Sequence, residues 1–306
     1  MSEAPPSVVV VGSINIDHIV TAPRFPRPGE TILGTSVTSS VGGKGANQAV
    51  AAALAGAGVA MVASTGDDAD GATARQRLAE RGVQTTHVAV LATDATGTAW
   101  ITVAENDNTI IVIPGANGRW SDGGLPGCVG RASVVLAQLE IPMHVVRSAA
   151  QQTQGQFVLN AAPAAELPDD LLALCDVLVV NEQELAVVAG VDAIADEDGI
   201  VAAHTGLRNR GAGSVVTTRG VAGAVVTDAD GRTAVLGAPP AEVVDTTGAG
   251  DAFTGVLAAR LGAGEPLVRA ARWGVVAGSL AVRAAGAQDS YPDFAALCRV
   301  AEEARS

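Results

Sequence analysis

Several residue types are scarce in this 306-residue chain, and each shortage narrows the possible classes of protein. The three cysteines, Cys128, Cys175 and Cys298, are far apart and form no C-x-x-C pair, which argues against a disulfide framework and a thiolate zinc site. Basic residues are outnumbered, with 19 Lys+Arg against 32 Asp+Glu, so the net charge of −13 disfavours a nucleic-acid partner. Lysine occurs once, as Lys44, inside a cluster of glycines.

Long hydrophobic runs are also missing from the sequence. The longest apolar run without a charge covers 49–63, is shorter than a membrane span and contains Gly56 and Gly58. No basic segment leads into an apolar stretch at the start, so we expect no signal peptide, no membrane partner and a cytoplasmic location. Hydrophobic residues still make up 48% of the chain, and no linker or repeat divides it. We therefore expect a single domain over 1–306.

Short β-rich runs alternate with longer Ala- and Leu-rich segments along the chain. Strands are predicted at 7–11, 59–63, 133–139, 156–159, 176–180 and 214–218. Helices are predicted at 47–54, 72–81, 143–152, 182–189 and 201–210. The strand runs are hydrophobic throughout, as in strands buried on both faces of a parallel sheet. The pattern predicts a three-layer α/β fold with a central, mostly parallel sheet.

Two segments interrupt this alternation. Residues 14–38 are rich in Pro, Thr and Val, and residues 96–114 have the pattern of a hairpin with its turn at 105–108. We expect the two segments to pair into a small separate β-sheet that projects from the α/β core. A sheet in that position is suited to act as a lid over a site.

The strongest chemical signal is DTTGAGDAFTGVLAARL at 245–261, where a Thr- and Gly-rich loop runs into a predicted amphipathic helix. The N–H groups of Gly248, Ala249 and Gly250 would lie at the helix N-terminus, where free donors and the helix dipole bind anions. Asp251 stands in the first turn of that helix. It is either an ordinary acidic helix-start residue or a general base beside a phosphoryl group, and its position alone leaves both open.

A second glycine cluster, SVGGKGAN at 40–47, also precedes a predicted helix. It lacks the first glycine of a P-loop, and the first strand lacks the dinucleotide-binding G-x-G-x-x-G. The glycines either form a tight turn or bring the backbone close to a polyol, with Lys44 and Asn47 as donors. Asn15 and Asp17, two residues apart, either belong to a turn or point to the same side of an extended chain and bind sugar hydroxyls.

Weaker signals follow other predicted strands. Glu140 ends one predicted strand, and ligand sites of α/β folds lie at such strand ends. An ordinary carboxylate without a binding role would give the same sequence pattern. Asn181 and Glu184 open a helix, so Asn181 is either a cap or a binding residue. The turn at 218–223 could pass close to a nucleotide. The four histidines show no metal-ligand spacing.

Taken in order over nearly the whole chain, these segments resemble the ribokinase branch of the PfkB-type carbohydrate kinases. The resemblance rests on GSINIDHI, VGGKGANQAVAAA, PGAN, AQLE, VNEQE, TRGVAG and DTTGAGDAFTG, and GGKGAN followed by DTTGAGD is highly specific. It implies ATP-dependent phosphorylation of D-ribose at the 5-hydroxyl, which gives D-ribose 5-phosphate and ADP. Kinases of this kind for 2-deoxyribose, fructose or adenosine remain alternatives. A non-catalytic binding protein is disfavoured because the residues of the base and anion hole are present.

The resemblance also implies roles for individual residues. Asp251 would be the catalytic base, and the N–H groups of Gly248, Ala249 and Gly250 would form the anion hole that stabilises the transferring phosphoryl group. The sugar-binding residues would be Asn15, Asp17, Gly43, Lys44, Asn47, Glu140 and Asp251. The nucleotide-binding residues would be Asn181, Thr218, Arg219, Gly220, Gly223 and Gly250.

Two cations and a partner are implied as well. Glu184 would hold Mg²⁺ through water, and K⁺ would lie between two loops and be bound mostly through carbonyl oxygens. The positions that match the K⁺ site are Asp245, Thr247, Ala281, Ala284, Gly286 and Ser290. Related kinases often form homodimers through the lid, so a homodimer is expected. The chain departs from the family pattern at Val275, where an Asn near the adenine is usual, and at Asp289, which replaces a Pro.

Overall fold

The structure is a computed structural model that describes residues 6–105, 107–120 and 124–303. The strands are β1 Val8–Val11, β2 Asn15–Thr21, β3 Ser36–Gly42, β4 Val59–Gly66, β5 Val83–Leu91, β6 Gly97–Ala104, β7 Asp107–Ile113, β8 Val134–Gln138, β9 Gln156–Asn160, β10 Val177–Asn181, β11 Ser214–Thr218, β12 Ala224–Thr227 and β13 Thr233–Leu236. The helices are α1 Lys44–Leu54, α2 Ala69–Glu80, α3 Met143–Gln152, α4 Asp169–Leu172, α5 Glu182–Ala189, α6 Glu197–Asn209, α7 Ala249–Gly262, α8 Leu267–Ala281 and α9 Phe294–Glu303.

The larger sheet carries the hydrophobic core on both of its faces. Over the described ranges it has nine strands in the order β13-β12-β11-β10-β9-β8-β1-β4-β5. The strands from β11 to β5 are parallel, whereas β12 and β13 run antiparallel to their neighbours. In β1, Val8 and Val10 pack towards α1, α7 and α8, while Val9 and Val11 pack towards α3, α5 and α6. The predicted three-layer α/β fold is confirmed.

Several helices begin earlier than the apolar pattern predicts. The predictions at 143–152 and 182–189 match the observed bounds of α3 and α5, but α2 begins at Ala69 and α6 at Glu197. The carboxylate of Asp68 accepts a hydrogen bond from the N–H of Gly71, and that of Asp196 accepts one from Gly199. These N-caps start each helix before its first buried apolar residue. The strands β5 and β13 were not predicted, and β12 was implied only as the strand that follows the turn at 218–223.

A smaller sheet forms from the two inserted segments, in the order β3-β2-β6-β7. Strand β2 pairs antiparallel with β3 and parallel with β6, and β6 and β7 form a hairpin. The predicted limits need two corrections. Strand β3 runs on to Gly42, beyond residue 38, because it pairs with β2 as far as Asn15. Asp107 and Asn108 belong to β7 rather than to the turn, while Asn106 lies outside the described residues.

The prediction that α7 is amphipathic is wrong. Its residues from Asp251 to Ala259 are all buried, because α7 packs between α1 and α8 instead of lying at the surface. No helix in the described parts of the chain is long and apolar enough to cross a membrane.

Candidate active site

Most of the predicted site residues lie at one edge of the larger sheet. Glu140 follows β8, and Asn181 and Thr218 end β10 and β11. Because these strands are parallel, their carboxyl ends meet at the same edge, where ligands bind in open α/β sheets. Helix α7 brings Asp251 to this edge, and strand β2 of the smaller sheet brings Asn15 and Asp17.

Asp251 is buried in the first turn of α7, with 8% of its surface exposed, and both carboxylate oxygens accept hydrogen bonds. Asn47 Nδ2 donates to Oδ2 at 3.0 Å, and Gln48 Nε2 donates to Oδ1 at 2.9 Å. Asn47 is oriented in turn, because Gln288 Nε2 donates to its Oδ1 at 2.9 Å. The carboxylate is therefore held in one orientation by two amide side chains of α1.

The loop before α7 presents backbone donors beside this carboxylate. Gly248 has φ 75°, and a Cβ there would lie 2.7 Å from that of Ala287, so a larger residue does not fit. The N–H of Ala249 donates to the carbonyl of Thr246 at 3.2 Å. The N–H groups of Gly248 and Gly250 have no acceptor within the parts of the chain that the structure describes. Of the three predicted anion-hole donors, two are thus free.

Asn15 and Asp17 share one side of β2, as their spacing predicts. Asn117 Nδ2 donates to Asn15 Oδ1 at 2.8 Å, and Asn117 also exchanges hydrogen bonds with the backbone of Ile14. Because the Asn15 carbonyl is already paired, its NH₂ group is the part left to a ligand. Asn117 was not singled out as a site residue, although its PGAN segment contributed to the family resemblance.

The carboxylate of Asp17 lies against Gly42, where a Cβ would collide with it. Burial raises the pKa of Asp17 to about 7, and the nearby charges of Glu140 and Asp251 add to the shift. Glu140 Oε2 accepts hydrogen bonds from Ser13 Oγ at 2.5 Å and from the backbone N–H of Lys44 at 2.9 Å. Gly43 has φ 86°, and its Cβ would lie 2.8 Å from the backbone nitrogen of Asn15.

Two adjoining cavities lie beside Asp251. The larger has a volume of ≈ 750 Å³, and the predicted nucleotide-binding residues on its wall are Asn181, Thr218, Gly220, Gly223 and Gly250. Val275 also lines it, which is the position where the family usually has Asn. The smaller cavity, of ≈ 210 Å³, shares Asn181, Thr218 and Gly250 with the larger one and adds Lys44, Glu184, Gly248 and Asp251. The guanidinium of Arg219 instead pairs with Glu197 at 3.1 Å and Glu182 at 3.5 Å.

Lys44 and Glu184 carry opposite charges into the smaller cavity. Burial opposes the charge of Lys44, but Asp251, Glu140 and Glu184 outweigh it and raise the pKa of Lys44, so the ammonium persists. Burial raises the pKa of Glu184, with Lys44 and a hydrogen bond from the N–H of Asn181 opposing the shift. Asn181 and Glu184 also form a reciprocal cap at the start of α5, so Asn181 caps a helix and lines the cavity.

The loops predicted to hold K⁺ lie side by side. Asp245 joins them, because Oδ1 accepts from the N–H of Thr247 and Oδ2 from that of Gly286, both at 2.9 Å. Burial opposes the charge of Asp245, but these hydrogen bonds hold its pKa below the usual range. In the described residues, no N–H donates to the predicted ligand carbonyls, which are those of Asp245, Thr247, Ala281, Ala284, Gly286 and Ser290. Free carbonyls beside an ionised carboxylate fit a hard cation.

The part of the chain that the structure describes adds no cluster of metal ligands. Within residues 6–105, 107–120 and 124–303, no three His, Cys, Asp or Glu side chains are grouped so as to hold a metal ion. Asp289 forms an ion pair with Arg81, which follows α2, and this pair ties the second cation loop to that helix.

Sequence reasoning missed a set of buried polar residues around the site. They are Ser13, Gln48, Asn117, Gln138, Asn160 and Gln288. Two signals could have found three of them: Gln138 and Asn160 are amides at the ends of otherwise apolar strands, and Gln48 is a glutamine within an Ala-rich buried helix.

Asp251 is a buried carboxylate beside helix-terminal N–H donors, with a large cavity on one side and the polar side chains of β2 on the other. Such an arrangement is suited to phosphoryl transfer. The chain belongs to the pfkB family carbohydrate kinases, whose family model matches residues 5–293. It is 37% identical over 293 residues to the ribokinase of Haemophilus influenzae, with 94% of this chain and 95% of the relative covered. It is 33% identical over 299 residues to the deoxyribokinase of Salmonella typhi, with 94% and 96% covered.

A solved structure agrees with these sequence relationships. The fold matches that of Arabidopsis thaliana ribokinase complexed with ribose and ATP, with a TM-score of 0.90 and 30% identity. The match covers 97% of this chain and 99% of the plant protein.

Proposed function

We propose that the protein transfers the γ-phosphoryl group of ATP to the 5-hydroxyl of D-ribose and releases ADP. The observation that carries the proposal is the position of Asp251, between the free N–H groups of the α7 N-terminus and the polar groups of β2. The relatives named ribokinase, which cover nearly the whole chain, support D-ribose as the sugar.

In the proposed reaction each part of the site has a defined role. Asn15, Asp17, Asn47 and Glu140 bind the sugar hydroxyls, and Gly43 lets the backbone approach the ring. Asp251 takes the proton of the 5-hydroxyl while the hydroxyl oxygen attacks the γ-phosphorus. The bond from the γ-phosphorus to the β,γ-bridging oxygen breaks, and ADP leaves. The N–H groups of Gly248 and Gly250 stabilise the charge on the transferring group.

The nucleotide occupies the larger cavity in this proposal, with its phosphates directed towards the smaller one. Lys44 lines the smaller cavity, which supports a contact of its ammonium with phosphate oxygens as well as with the sugar. Glu184 would hold Mg²⁺ through water, and the ion would neutralise phosphate charge. K⁺ at the loops of Asp245 and Gly286 would order the anion hole without contacting the phosphate.

We also infer how the chain is organised and where it works. Residues 1–306 form one kinase domain whose lid is the smaller sheet, and a second copy of the chain covers that sheet in a homodimer. The exposed aliphatic side chains of β7 support this arrangement, because four in succession, Ile110 to Ile113, are between 48% and 68% exposed. The three cysteines are unpaired, which favours a reducing cytoplasm.

The alternative sugar with a specific basis is 2-deoxyribose, because a deoxyribokinase is 33% identical over most of the chain. ADP release should be measured with ATP, Mg²⁺ and K⁺ in the presence of D-ribose, 2-deoxyribose, fructose, adenosine or no acceptor. We expect the highest kcat/KM with D-ribose. A preference for 2-deoxyribose, fructose or adenosine would keep the kinase chemistry and overturn the assigned sugar.

The same assay tests Asp251 as the base. Asp251→Asn keeps the size of the side chain but cannot take a proton, so kcat should fall about 10²- to 10⁴-fold. Calorimetric binding of D-ribose and ATP should remain, because the amide can still occupy the site. A variant with normal turnover, or one that has lost binding while bound complexes react normally, would contradict this role.

A further inference from the structure

Gln48 is a fully buried amide of α1 that touches the carboxylate of Asp251. Its Nε2 donates to Asp251 Oδ1 at 2.9 Å and to Asn160 Oδ1 at 2.8 Å. Gln48 follows Asn47 directly, so two successive side chains of one helix donate hydrogen bonds to the two oxygens of the same carboxylate.

The orientation of this amide is fixed by its neighbours. Asp251 and the carbonyl of Val179 can only accept hydrogen bonds, so Gln48 must turn its NH₂ towards Asp251, and Asn160 must donate its own NH₂ to Val179 at 3.1 Å. Gln138 Nε2 then donates to Gln48 Oε1 at 2.6 Å. At the far end, Gln138 Oε1 is buried and without a partner in the described structure, an unfavourable arrangement imposed from the Asp251 end.

We propose that Gln48 is a positioning residue for Asp251, and that its amide, held in place by Gln138 and Asn160, fixes the carboxylate in the reactive orientation. The proposal rests on the proposed function, in which Asp251 is the base. A hydrogen bond to the charged form of a carboxylate favours that form, and two donors on opposite oxygens prevent its rotation.

Several titratable groups surround the Asp251 carboxylate. The titratable groups that interact with Asp251 or with its immediate neighbours are Asp17, Glu140, Glu184, Lys44 and Tyr291. Three of these are carboxylates, which disfavour a further negative charge, and Lys44 alone opposes them. The neutral amides of Asn47 and Gln48 hold the carboxylate without adding a further charge to this group of residues.

The variant that tests the proposal is Gln48→Met, which keeps the length of the side chain and removes its N–H donor. We expect kcat with D-ribose to fall about tenfold or more, which corresponds to the loss of one charge-assisted hydrogen bond. Both KM values should change by less than about threefold, because Gln48 contacts neither substrate. The acidic limb of the kcat–pH profile should move to higher pH, since a carboxylate that has lost a donor protonates more readily.

Gln152→Met is the matched control. Gln152 Nε2 donates to two backbone carbonyls, those of Leu125 and Pro126, far from the site. This variant should leave both kcat and the pH profile unchanged. An unchanged kcat in folded Gln48→Met would overturn the proposal. So would a lower kcat with the acidic limb in its original place, because that result indicates a purely structural role.

Two further measurements separate the possible failures. If Gln48→Met does not fold, Gln138→Met tests the same network, because it removes the donor that locks Gln48, and it should shift the acidic limb in the same direction. If Asp251→Asn retains full turnover, the proposed base is wrong and the proposed function fails with it. If Asp251→Asn is inactive and neither amide variant moves the acidic limb, only the positioning role is wrong.

Discussion

At the scale of single residues, the charge of Asp17 depends on the fold. Burial first, and then the charges of Glu140 and Asp251, raise its pKa from 3.8 to about 7. The folded protein therefore binds a proton at Asp17 over a pH range in which the unfolded chain has released it. A bound sugar whose hydroxyls donate to the carboxylate favours the ionised form instead.

This difference predicts how stability changes with pH. Between pH 3.8 and about 7 the folded state holds more protons at Asp17 than the unfolded state, so this residue makes the free energy of unfolding fall as the pH rises. Urea unfolding of the sugar-free protein at several pH values should show this slope. Asp17→Asn should lose it and be more stable than the wild type above pH 7. Equal slopes in the two proteins would contradict the assigned pKa.

The residue scale also shows what the sequence could and could not predict. The spacing of Asn15 and Asp17 indicated that both could lie on one side of a strand, because a strand places alternate side chains on one side. Spacing alone left a turn open, and the family resemblance was needed to assign them to the sugar. Asn117 orients Asn15 from 102 positions away along the chain, and Gln138 reaches Gln48 across 90. Such partners depend on how the elements pack, and no local sequence pattern predicts that packing.

At the scale of elements, the site depends on the close approach of α7 to α1. Helix α7 carries Asp251, and helix α1 carries Asn47 and Gln48. They meet at Gly255, where a Cβ would lie 2.7 Å from that of Ala51 and closer still to the carbonyl oxygen of Gln48. The burial of α7 on all faces, which its sequence did not predict, results from this contact and from α8 on the opposite side.

Gly255→Ala should therefore separate the helices and damage both stability and catalysis. We expect the free energy of unfolding to fall by about 1–3 kcal/mol, as in overpacked cores, and kcat to fall because the Asp251 hydrogen bonds lengthen. Thermal unfolding and steady-state kinetics measure the two effects. Gly206→Ala is the control, because it lies in helix α6 with open space around it and should be neutral or slightly stabilising. Equal behaviour of the two variants would contradict the packing argument.

The two loops joined by Asp245 form the other element-scale unit. We expect KCl to raise both kcat and the melting temperature above their values in NaCl at the same ionic strength, because a bound ion stabilises the folded state. Asp245→Asn keeps one acceptor oxygen but removes the charge, and it should reduce the difference between the salts. Identical melting temperatures and rates in KCl and NaCl would refute the cation site.

At the scale of the whole molecule, the two sheets differ in how completely they are covered. The larger sheet is buried on both faces by helices, and its alternating order of elements was predictable because continuous hydrophobic strands require that cover. The smaller sheet leaves the aliphatic side chains of β7 exposed, and Trp100 on β6 is 46% exposed and stacks on His18 at 4.5 Å. Exposed apolar surface of this extent on a small sheet is typical of a site where another protein surface packs.

The homodimer proposed above would bury this apolar surface, and a single substitution on β7 tests it. Ile111 is 68% exposed on β7, so Ile111→Lys should fold normally and weaken self-association, because a charge at the interface has to be desolvated. Sedimentation velocity over a range of concentrations should detect dimers of the wild type and monomers of the variant. Val235→Lys is the matched control, since Val235 is 48% exposed on β13, the edge strand at the far end of the larger sheet. Monomers of the wild type at all concentrations, or dimers that persist in Ile111→Lys and dissociate in Val235→Lys, would show that the smaller sheet is not the interface.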